Sequence, residues 1–159
     1  MNKKSLVLCS ALLALMAGCS RSGMVDGTGS ATTSVAVPAN AAPKSATPPR
    51  IAHGQQVDIK AYLSTGRTTI FDFTSEYCPP CRAIAPYLHK LHATRPDIAV
   101  VEVDINRPGV QGIDWASPVA QQYGLQSIPH FKVFGPDGRL QAEGQEASVL
   151  VRQMLQKLP

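Results

Sequence analysis

The chain is short of cysteine, tryptophan and long apolar runs, and each shortage narrows what it can be. Only four cysteines occur in 159 residues. Two of them, Cys78 and Cys81, are spaced as a pair, and there is no second pair to complete a four-ligand zinc site. Arg82, not histidine, follows the second cysteine, which excludes covalent haem attachment. The apolar stretch at 6–17 is too short to cross a bilayer as a permanent helix. Residues 20–49 contain no aromatic side chain. No repeat recurs along the chain. Charge is also scarce where it would matter. The net +4 arises upstream, from Lys3, Lys4, Arg21, Lys44 and Arg50 against Asp26, while residues 51–159 carry ten basic and ten acidic side chains. The basic balance therefore gives no reason to expect a nucleic-acid partner.

The N-terminus reads as a targeting segment. Lys3 and Lys4 precede the apolar run, which has the length of a signal-peptide core. Met16-Ala17-Gly18-Cys19 resembles a bacterial lipobox, with Cys19 as the lipid acceptor. Ser20 after it favours the outer membrane. The expected organisation is a lipoprotein signal peptide at 1–18, a lipidated and disordered linker at 19–50, and a folded domain at 51–159. The linker is rich in Ser, Thr, Gly, Ala and Pro and cannot bury enough apolar surface to offset its ordering entropy. These features place the protein in a bacterial cell envelope, lipid-anchored, facing the periplasm, with the lipid bilayer as one partner.

From residue 51 onward the pattern changes. Asp58 is placed to cap a short helix. Residues 68–74 (TTIFDFT) and 98–105 (IAVVEVDI) read as buried strands, and 79–94 as a helix with Ile84, Leu88 and Leu91 on one face. Ser117-Pro118 opens a short helix. Residues 131–134 and 139–143 form a hairpin about Gly135-Pro136-Asp137-Gly138, and 147–158 closes the chain as an amphipathic helix. This order predicts a three-layer α/β fold with a central mixed sheet flanked by helices.

The run Cys78-Pro79-Pro80-Cys81 sits where a buried strand meets a helix. Unpaired N–H groups at the helix start favour a thiolate at Cys78, the form that attacks a disulfide. Cys81, inside the first turn, is expected to be less exposed and to resolve the mixed disulfide. Pro79 and Pro80 carry no N–H, so the donors left for Cys78 are those of Cys81 and Arg82. A structural disulfide gains its stability from closing a long loop, and this loop is very short. His89 and His92 are expected to face solvent. The spacing thus predicts a redox-active dithiol that needs no cofactor and no metal.

The active-site block, Thr69-Ile70-Phe71-Asp72-Phe73 followed by the cysteine pair and Ile84-Ala85-Pro86, resembles that of the thioredoxin family. Tyr123-Gly124-Leu125-Gln126-Ser127-Ile128-Pro129 is similar to the segment that carries the family's cis-proline. The resemblance covers the chain from about Val57 onward. It implies a thioredoxin-like fold and a thiol–disulfide oxidoreductase. It also implies a cis Pro129 beside Cys78 and next to a substrate-pairing edge. Asp72 would be a buried acid that takes the proton of Cys81 through water, and Pro86 would kink the active-site helix. His130 either tunes Cys78 or fills a strand end. Glu102 stands where the family often has a lysine, and 107–115 is an insertion carrying Trp115, either a recognition surface or packing over the core. The expected substrates are thiol- or disulfide-containing envelope proteins, with a transmembrane thiol transporter as electron donor. Reductase is the leading direction, with oxidase and isomerase open. The alternative is a thioredoxin-fold binding module or a copper or zinc chaperone.

Overall fold

A computed structural model describes residues 45–158. The signal segment, Cys19 and most of the 19–50 linker lie outside the described residues.

Five strands and three helices make up the domain. In chain order they are β1 (Arg50–Ile51), β2 (Thr68–Thr74), α1 (Pro79–Thr94), β3 (Ile98–Asp104), α2 (Pro118–Gln122), β4 (His130–Phe134), β5 (Leu140–Glu143) and α3 (Gly144–Gln156), with a 3₁₀ turn at Ile59–Tyr62. The sheet order is β1-β3-β2-β4-β5. β1, β3 and β2 run parallel, and β4 and β5 run antiparallel to their neighbours. The expected mixed sheet is therefore present, with one strand added. β1 is only two residues long, too short for any periodicity to mark it.

The ends of the elements follow local chemistry. Asp58 accepts from the Lys60 N–H at 3.0 Å and caps the 3₁₀ turn. Ser117 accepts from the Ala120 N–H at 3.3 Å, with Pro118 at the first helical position, where a missing N–H costs nothing. α1 continues past Pro86 to Thr94. The hairpin turns at Gly138, whose φ of +75° is costly for a side chain with a Cβ.

Two apolar clusters fill the two sides of the sheet. Ile70, Val100, Phe131 and Val133 meet Leu88 and Leu91 of α1 and Ala147 and Val151 of α3. Phe71, Phe73, Val101, Val103 and Ile105 meet Ile59, Val119 and Ala120 on the other side. The alternation of side chains along β2 and β3 sorts their residues between these layers. Asp72 and Glu102, in step with Ile70 and Val100, thus belong to the side that α1 covers.

His92 departs from the solvent-facing position expected of it: it is only 4 % exposed. Its Nδ1 accepts the Val100 N–H at 3.0 Å, and Nε2 lies 3.0 Å from the Ser45 carbonyl oxygen. The imidazole is held inward because it satisfies a buried backbone donor. His92→Phe leaves that donor without the imidazole and is expected to cost about 1–3 kcal/mol in a urea unfolding experiment. An unchanged midpoint and slope would show that the bond carries no weight.

Candidate active site

β2 ends at Thr74, and three residues carry the chain to Cys78, the N-cap of α1. Ser75 organises this approach. Its carbonyl accepts the Cys78 N–H at 3.1 Å, and its hydroxyl oxygen accepts the Tyr77 N–H at 3.2 Å. Cys78 and Cys81 are joined by a disulfide, with their Cα atoms 5.3 Å apart. The expected difference in exposure between them is absent in this oxidised form, because each is 1 % exposed. Their difference lies in bonding. Cys78 Sγ accepts the Cys81 N–H at 3.2 Å and lies 3.7 Å from the Ile128 carbonyl oxygen. The Arg82 N–H, the other expected donor, is committed to the Cys78 carbonyl at 3.1 Å. With prolines at 79 and 80, the sulfur is left with one backbone donor from this turn.

Ile128–Pro129 is the one cis peptide among the described residues. The Ile128 contact brings this segment against Cys78. His130 follows on β4, in register with Phe73 rather than with Asp72. Its ring meets Phe73 edge-on at 5.7 Å, and Nε2 lies 3.5 Å from Glu143 Oε1. Burial pushes its pKa down, against the pull of Glu143.

Asp72 is fully buried, and neither carboxyl oxygen has a hydrogen-bond partner among the described residues. Its strand neighbours are Glu102 on β3 and Phe131 on β4. Loss of solvent and then the Glu102 charge push its pKa up to about 8, with Arg50 pulling it down. Glu102 is in the opposite condition, with both oxygens engaged. His89 Nε2 lies 2.7 Å from Oε1 and Arg50 Nε lies 3.1 Å from Oε2. Arg50 also reaches Asp104 at 3.2 Å. Burial disfavours the guanidinium charge, but Glu102 and Asp104 outweigh it and raise the Arg50 pKa.

A second network braces the loop before Cys78. The Ser75 hydroxyl donates to Asn106 Oδ1 at 2.6 Å, and Asn106 Nδ2 donates to the Gly112 carbonyl at 2.6 Å. Arg107 grips buried Asp114 through Nε at 2.7 Å and a terminal nitrogen at 3.0 Å. Those hydrogen bonds hold the Asp114 pKa low. The 107–115 segment is thereby closed on itself and tied to the active-site loop, with Trp115 41 % exposed on it. Sequence reasoning named Cys78, Cys81, Asp72 and Pro129 as candidates and noted Glu102, but it did not link Glu102 to Arg50 or His89, or Ser75 to Asn106. Arg50 lies 52 residues from Glu102, and no local pattern links them.

The Thioredoxin family model matches residues 53–156. Among curated proteins, an H-type thioredoxin of Fagopyrum esculentum is 31 % identical over 55 % of this chain and 62 % of its own length. A thioredoxin-like protein of Fusarium culmorum is 30 % identical over 55 % of this chain and 69 % of its own. The chain thus spans about three-fifths of the first of these and just over two-thirds of the second. Among solved structures, thioredoxin f of spinach chloroplast is 21 % identical with a TM-score of 0.49, covering 71 % of this chain and 95 % of that one.

These matches correct the expected localisation. The relatives include H-type thioredoxins of buckwheat, Brassica and Arabidopsis, none of them named as an envelope lipoprotein. No helix among the described residues is long and apolar enough to cross a membrane. The envelope reading rested on residues 1–19 alone, and it is withdrawn. The bilayer and the transmembrane thiol transporter, expected only through that location, are withdrawn with it.

Asp72 makes stability depend on pH with a definite sign. Its folded pKa lies above its unfolded value, so the folded state holds a proton that the unfolded state releases between about pH 4 and 8. The cost of keeping its charge off the buried carboxyl therefore grows as pH rises through that window and is absent below it. Asp72→Asn removes the dependence. Its stability relative to the native chain should rise by about 4–5 kcal/mol from pH 4 to pH 8, read by urea unfolding across that range. A constant difference between the two would contradict the assignment.

Proposed function

The chain belongs to the thioredoxin family, and we propose that it is a thiol–disulfide oxidoreductase that reduces disulfides in partner proteins through Cys78 and Cys81. The observation that carries this reading is the disulfide at the start of α1, against the cis-proline segment and six residues after Asp72, which is buried with no hydrogen-bond partner among the described residues.

In the reduced protein, Cys78 is the nucleophile. Its thiolate is favoured by the Cys81 N–H and by the positive end of α1. It attacks one sulfur of a substrate disulfide, forming a mixed disulfide and releasing the other substrate sulfur as a thiolate. Cys81 then attacks Cys78 Sγ. This frees the second substrate sulfur and forms the Cys78–Cys81 bond. Two electrons pass to the substrate. Asp72 accepts the proton of Cys81 through water, a role suited to a carboxyl whose affinity for a proton is raised by burial. The segment before Pro129 holds the substrate backbone beside Cys78. The donor that restores the dithiol is itself a thiol or dithiol.

Cys78→Ser should abolish reduction of insulin disulfides by the dithiothreitol-recycled protein. Cys81→Ser should instead accumulate the mixed disulfide, visible as a covalent adduct by mass spectrometry. Undiminished turnover by Cys78→Ser would overturn the proposal.

A further inference from the structure

The Arg50–Glu102–His89 cluster takes no part in the exchange steps above, yet it borders the acid those steps use. Two carboxyl groups stand on adjacent parallel strands, on the side of the sheet that α1 covers. Both are buried, so both cannot be ionised without a large cost, and one must keep a proton. The hydrogen bonds decide which. Glu102 has a cation or an imidazole on each oxygen, whereas Asp72 has no partner on either.

We propose that Glu102, gripped between Arg50 and His89, is a positioning residue that fixes a negative charge beside Asp72 and so loads Asp72 with a proton in the oxidised protein. This rests on the reading of Asp72 as the proton partner of Cys81. The loaded proton serves the step that restores the dithiol. A donor thiolate attacks Cys78 Sγ, the Cys78–Cys81 bond breaks, and its electron pair leaves on Cys81 Sγ. The Asp72 proton moves through water to that sulfur. The donor's second thiolate then attacks the mixed disulfide, releases Cys78, and leaves the donor oxidised. The carboxylate of Asp72 is thereby free to take the proton back when Cys81 next attacks.

The charged and titratable groups around Asp72 are few. β3 contributes Glu102, with Asp104 beyond it, and β1 contributes Arg50. α1 contributes His89, which reaches Glu102. The loop after β1 contributes His53, 3.6 Å from Asp104. The neighbour on β4 is Phe131, which carries no charge. Glu102 and Arg50 therefore act on Asp72 with opposite signs, the carboxylate favouring its protonated form and the guanidinium its charged form.

The test is the rate of reduction of the oxidised protein by dithiothreitol, followed by stopped flow and expressed per dithiothreitol thiolate, from pH 5 to pH 10. In the native chain this rate should fall as Asp72 loses its proton. Glu102→Gln should move the midpoint of that fall down by about one pH unit or more. Arg50→Met, a change on a half-exposed side chain that leaves the core intact, should move it up. A general loosening of the fold would not shift the two variants in opposite directions. Asp72→Asn should remove the fall altogether. If Asp72→Asn removes it but neither Glu102→Gln nor Arg50→Met moves the midpoint, the role of Glu102 is overturned while that of Asp72 stands. If Asp72→Asn retains the fall, the reading of Asp72 is overturned and this inference goes with it.

Discussion

A carboxyl group buried without a hydrogen bond among the described residues, beside a second buried carboxyl, is the constraint around which this site is built. The register of β2 against β3 places Asp72 directly beside Glu102. The same strand, six residues later, delivers Cys78 to the start of α1. One strand thus carries the acid and leads into the dithiol. Leaving such a group unpaired inside a fold is costly, and few stable proteins retain one without a use for it. Under the proposed reading, that cost accompanies a proton available to the dithiol as it cycles.

The two prolines between the cysteines shape the other half of the chemistry. Neither can donate to the Cys78 sulfur, and the Arg82 N–H is taken by the Cys78 carbonyl. In the disulfide the Cys78 sulfur accepts one backbone N–H from this turn, at the N-terminus of α1. This makes the sulfur more dependent on its surroundings than it would be in a donor-rich turn. The segment before Pro129 and the braced Ser75 loop are those surroundings. The Ser75–Asn106 bond ties that loop to the 107–115 segment. Movement of the segment would therefore be felt at the Cys78 backbone.

Much of this was legible in the sequence because it is written locally. The limits of β2 and α1, the caps at Asp58 and Ser117 and the turn at 135–138 depend on residues within a few positions of one another. The cysteine spacing and Asp72 were visible for the same reason. What escaped was non-local. β1 is two residues paired with a strand about fifty residues away. His92 reads as a polar residue on a helix, and only the fold brings the Val100 N–H to it. Glu102 stood out as an acid where a lysine is common, but its consequence required Arg50 and His89. The expected contrast in exposure between the cysteines failed because in the disulfide both are buried, with Cys78 Sγ against the Ile128 carbonyl. The envelope location failed for a different reason. It was inferred from a short N-terminal motif that the domain's own chemistry does not constrain.

The account turns on Asp72 holding its proton near neutral pH. The most direct measurement is the ¹³C chemical shift of the Asp72 side-chain carboxyl, followed by NMR across a pH titration of the oxidised protein. The account predicts a single titration with a midpoint near the raised value of about 8. A carboxyl that titrates with an ordinary midpoint, at about 4, would contradict it.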